Sequence, residues 1–134
     1  MFAQAMNIRS AYQTAGLEAE ILGSSPHRLI KLLFDGSFAY IGKARQHMTA
    51  GNVQGKAEAI TRAVDLISRG LRASLNLNEG GELAQSLDDL YEYIGLQLVK
   101  AHLQNDPALL DEAEKLLWQL ADAWEKIGKD LDPG

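Results

Sequence analysis

Apolar residues recur at alternating spacings of three and four in five stretches of this chain, and that period places each set on one face of a helix. Four runs carry the strongest signal. They are Ile30, Phe34, Ser37, Ile41, Ala44, Met48; then Val53, Ala57, Ile60, Val64, Ile67, Leu71; then Ala84, Leu87, Tyr91, Ile94, Leu98, Ala101; and Leu110, Ala113, Leu117, Leu120, Trp124, Ile127, Leu131. A fifth run, Met1, Ala5, Ile8, Tyr12, Ala15, Ala19, Leu22, precedes them. No segment carries the period of two that marks a strand.

The punctuation divides the chain at the same places. Ser25-Pro26 supplies an N-cap followed by proline at the first helical position, and Asp106-Pro107 repeats the device. Gly51-Asn52 reads as a left-handed helix end followed by a capping asparagine, and Gly80-Gly81 marks a further turn. The expectation is an all-α fold: an antiparallel up-down four-helix bundle over residues 25–131, with helices near 26–50, 53–76, 81–104 and 107–130. A short N-terminal amphipathic segment over residues 1–24 is added to it.

Four bundle helices do not need a fifth amphipathic stretch to complete a core. Leu29, Leu33, Gly36 and Tyr40 flank the first seam, and Leu83, Leu90 and Tyr93 flank the third, so the apolar arcs are wide. A wide arc is ordinarily core plus one flank, but a continuous exposed apolar patch marks a binding surface. The leading segment is then either a permanently docked helix or a tethered cover that a tighter ligand displaces. Gly36, Gly42, Gly70 and Gly95 fall inside predicted helices, where each costs on the order of 1 kcal/mol relative to alanine. Either two helices approach closely there or a foreign helix enters a shallow groove.

With 46% hydrophobic and 23% charged residues, the chain has the make-up of one globular domain. No apolar run reaches the ~20 residues of a membrane span, so a cytoplasmic protein without membrane insertion is expected. There are no cysteines, hence no disulfides and no thiolate chemistry. The net charge of −5 conceals two halves: residues 1–78 carry nine basic and five acidic side chains, residues 79–134 four and thirteen. Such a surface repels nucleic acid over much of its extent.

The residues offer no catalytic, cofactor or metal constellation. A di-iron bundle needs Glu-x-x-His, yet Ser24, Ala44 and Val99 stand three residues before His27, His47 and His102. Neighbouring acids such as Asp88-Asp89 and Asp111-Glu112 diverge on a helix and read as solvated charges. No nucleophile elbow or phosphate loop occurs. An enzyme is not expected.

Several fragments, in order and at consistent spacing, resemble the flagellar secretion chaperones of the FliS type. They are Ser25-Pro26-His27-Arg28-Leu29-Ile30 with Leu33-Phe34-Asp35-Gly36, Gly80-Gly81-Glu82-Leu83-Ala84 with Leu87, Leu90-Tyr91 and Tyr93, then Asn105-Asp106 and Ala123-Trp124. The resemblance implies a chaperone that binds the disordered C-terminal segment of flagellin, prevents premature polymerisation, and aids delivery to the export gate through its component FlhA. It also implies a displaceable N-terminal cap, matched here by Ile8 and Tyr12. Leu29, Leu33, Tyr40, Leu83, Leu90 and Tyr93 are the candidates for the flagellin-binding groove. The alternative is a structural or regulatory bundle that forms a homodimer through the same apolar surface.

Overall fold

The computed structural model describes residues 26–131, and the leading segment with Ile8 and Tyr12 lies outside them. All four expected helices form: α1 over Pro26–Ala50, α2 over Val53–Asp65, α3 over Leu77–Gln104 and α4 over Pro107–Leu131. A π-helical turn, Leu66–Leu71, continues α2. No strand occurs among the described residues.

The caps act as the residue types dictate. Gly51 takes φ +76°, and the Asn52 side chain accepts the Gly55 N–H at 3.0 Å to open α2. Asn105 adopts a left-handed conformation that closes α3, and Asp106 accepts the Ala108 N–H at 3.0 Å to start α4. Links of two, five and two residues leave no room for a crossover, so consecutive helices run antiparallel. Cross-helix partners agree: His27 meets Trp124 while Arg45 meets Asp111, and Lys56 meets Asn105 while Arg72 meets Asp88.

Each helix packs on its sequence neighbours, and α4 closes the square against α1. The pairs α1 with α3 and α2 with α4 therefore lie across diagonals. Leu33, Phe34, Ile41, Leu66, Ile67, Ile94, Leu98, Leu110 and Leu117 fill the centre. A fully buried aliphatic side chain contributes roughly 1.5–3 kcal/mol relative to exposure, so this set dominates the stability. Among the described residues, no helix is long and apolar enough to cross a membrane.

Two elements depart from expectation. The second helix was expected to reach residue 76 with Val53, Ala57 and Val64 on its seam. Instead Lys56, Ala59, Ala63 and Leu66 join Ile60 and Ile67 inside, while Val53 is exposed. Small alanines let α2 seat closely on α1, which turns the helix away from the phase its larger residues suggest. The π turn then shifts the register again, with the Arg72 N–H reaching five residues back to the Ile67 carbonyl at 2.9 Å. The third helix begins early, because Asn76 accepts the Glu79 N–H at 3.1 Å, and kinks at Gly81.

Candidate functional site

The core seam of α3 is Tyr91, Ile94, Leu98 and Ala101, and the helical period carries the intervening residues to its outer side. An ordinary surface helix is polar there. Here Leu96 is 60% exposed, Val99 40% and Leu103 76%, spaced three and four apart as one stripe. Tyr93, three residues before Leu96, extends it and turns its hydroxyl to Glu112 of α4 at 2.7 Å. That acceptor holds the Tyr93 phenol protonated above its ordinary range. Gln97 donates to the other oxygen of the same carboxylate at 3.0 Å. The α3–α4 side of the stripe is thus a fixed polar rim, and the stripe itself faces water.

The residues singled out from the sequence divide between two diagonal helices. Leu33 has no exposed surface and belongs to the core, while Leu29 is half-buried against it. Tyr40 is half-buried on the side of α1 that faces α2, with Lys43 Nζ 5.0 Å and Arg62 Cζ 5.9 Å from its ring centroid. On α3, Leu90 packs against the core, whereas Leu83 is 70% exposed near the kink. Tyr40 and Tyr93 therefore look out from different faces, and the six residues do not line one groove. Leu96, Val99 and Leu103 were not singled out from the sequence. Their own three-and-four spacing was legible, but on a helix whose seam was already assigned it read as surplus.

The interior glycines also separate. A methyl group at Gly95 would rest 4.0 Å from Ser68 Oγ and Val64 Cγ1, an ordinary close helix contact. At Gly42 no described atom lies within 4 Å of that position.

Other concave regions differ in chemistry. Along the α1–α4 seam, His27 stacks on Trp124 with centroids 5.1 Å apart, and Phe38 stacks on the 57% exposed Trp118 at 4.4 Å. The Trp124 indole N–H donates to the His27 carbonyl at 3.3 Å, tying the start of α1 to α4. At the opposite end, where the two short links meet, a cleft of about 250 Å³ contains Lys56, His47 and His102.

The acidic pairs are more engaged than solvated charges. Asp88 receives two hydrogen bonds from Arg72, at 2.9 and 3.1 Å, and Asp111 accepts one from Arg45 at 2.9 Å. The Arg72 guanidinium holds the Asp88 carboxyl below the usual carboxylate range. Adjacent acids do diverge, as expected, but divergence sends one of each pair to a basic helix. Among the described residues no group of three His, Asp or Glu side chains is placed to hold a metal ion. The histidines serve stacking and helix-end contacts instead.

Exposed apolar surface on the outer side of a bundle helix is a feature that marks interaction sites in proteins generally. The family model described as flagellar protein FliS matches residues 8–131. The chain is 39% identical over 117 residues to the flagellar secretion chaperone FliS of Salmonella typhimurium, covering 87% of each protein. It is 40% identical to the flagellar secretion chaperone FliSB of Pseudomonas aeruginosa, covering 92% of this chain and 97% of that one. The flagellar secretion chaperone FliS of Bacillus subtilis is 28% identical, with coverage of 90% and 88%. This chain belongs to the FliS family of flagellar secretion chaperones.

Proposed function

We propose that this protein is a cytosolic export chaperone that captures the disordered C-terminal segment of flagellin, keeps it from polymerising, and presents it to the flagellar type III export apparatus through FlhA. Its family is one of chaperones, not enzymes. The observation that carries the reading of the site is the exposed stripe Leu96, Val99, Leu103, continued by Tyr93. A disordered segment that folds against such a surface spends a few kcal/mol on ordering. At ~25 cal/mol per Å² of apolar area, a contact limited to one stripe barely exceeds that cost, so firm capture requires the segment to wrap onto a second face. The Tyr40 side of α1 is the candidate for that second contact. Ile8 and Tyr12 keep their proposed role as a displaceable cover.

Calorimetric titration with a peptide of the flagellin C-terminal segment tests this directly. Binding with a gain in helicity is expected, and the double substitution Leu96→Glu, Leu103→Glu abolishes it while leaving the thermal midpoint within a few degrees, because both side chains already face water. Removal of residues 1–17 tightens the same interaction. Peptide binding untouched by the two charges sinks the assignment of α3. A mass that doubles with concentration and no affinity for the peptide would favour a self-associating bundle.

A further inference from the structure

The stripe on α3 runs into a built feature at its end. Leu103, its last residue, lines the cleft formed where the α1–α2 and α3–α4 links meet, together with Val53, Lys56, His102 and Asn105. Lys56 is only 5% exposed, the one charged side chain among the described residues that is buried. A buried ammonium is ordinarily paired with an acid. Among the described residues it has no carboxylate within 4.0 Å; it donates to the His102 carbonyl at 3.1 Å and to Asn105 Oδ1 at 2.9 Å. Those acceptors, at the negative end of the α3 dipole, satisfy two of its three N–H bonds and part of its charge. In the same cleft His102 Nδ1 is buried without a hydrogen-bond partner. The third N–H of Lys56 and the rest of its charge remain to be met, beside exposed Leu103 and Val53.

We infer that this cleft receives the free α-carboxylate at the very end of the bound segment. The inference rests on the reading of α3 as the surface for a C-terminal segment, and it adds the direction and register of that segment. From Leu96 to Leu103 the stripe is ~10 Å long at 1.5 Å per residue, enough for about two turns of a partner helix. Its final residue then lies over Val53 and Leu103, and its carboxylate accepts from Lys56 Nζ. A single lysine matches the single charge of a carboxylate, whereas a doubly charged phosphate is ordinarily held by several cationic donors.

The full-length protein is titrated with two versions of one flagellin C-terminal peptide, one ending in a free acid and one in a carboxamide. The acid binds at least about tenfold more tightly, the usual worth of a charge-assisted hydrogen bond. Lys56→Gln erases the difference between the two peptides. Because Lys56 also caps α3, that variant can lose stability, and the acid–amide comparison on the unaltered protein stands without it. Equal affinities for acid and amide overturn this inference and leave the α3 surface standing. Binding by neither peptide overturns both.

Discussion

At the scale of the residue, the phenols of Tyr91 and Tyr93 part company although only one residue separates them. A helix turns about 200° over two positions, so Tyr91 is 6% exposed in the core and Tyr93 is 43% exposed beside Glu112. Burial pushes the Tyr91 phenol up to about 12 from an ordinary 10.0. In the unfolded chain it ionises first, so its contribution is complete below pH 10.0, falls as pH rises, and is gone above about pH 12. The expected loss across that window is on the order of 2–3 kcal/mol. Urea midpoints followed through that alkaline range measure it, and Tyr91→Phe removes most of the slope. A slope unchanged by Tyr91→Phe would assign the alkaline sensitivity elsewhere.

Among the elements, α3 carries both the kink and the stripe, and the kink depends on one backbone. Gly81 sits at φ 57°, ψ −138°, outside the left-handed helical well that other residues tolerate. Gly81→Ala is expected to cost about 1–3 kcal/mol in chemical denaturation. Gly42→Ala is the counterpart: in a helix interior with open space beside it, the added methyl gains up to about 1 kcal/mol. Opposite signs from two glycine-to-alanine changes identify conformation, not composition, as the cause. The sequence marked both glycines, yet only backbone angles and neighbouring atoms distinguish the one that must stay. The π turn was not legible at all.

Over the whole molecule, the uneven charge of the two halves becomes a fastening. Adjacent α1 and α2 come from the basic half and adjacent α3 and α4 from the acidic half, so opposite charges face each other across both mixed seams. Arg45 joins Asp111 and Glu114 across α1–α4, and Arg72 joins Asp88 across the other. These groups are partly solvated, and each pair is worth at most about 1 kcal/mol. Asp88 titrates below its ordinary 3.8 in the folded state, so its stabilisation is present above about pH 4 and is lost as the pH falls through the depressed value. Asp88→Asn should therefore lower the urea midpoint slightly at neutral pH and match the unaltered protein in acid. A gap that persists in acid would mean the substitution acts through packing.

Local chemistry settled much of this protein before folding entered. Gly-Asn and Asp-Pro fix helix ends because capping depends on a few consecutive residues, and three of the four seams follow from period alone. The family fragments likewise lie in short stretches that survive as a linear string. What the string does not contain is which flank of a seam meets a neighbour. Leu33 and Leu83 read alike as flanking leucines, yet one is enclosed and the other open, because α1 and α3 stand on a diagonal and each is covered by different partners. Only the assembled square leaves Leu96, Val99 and Leu103 uncovered and strands Lys56 without an acid, since burial is a property of the space between helices and not of any one of them.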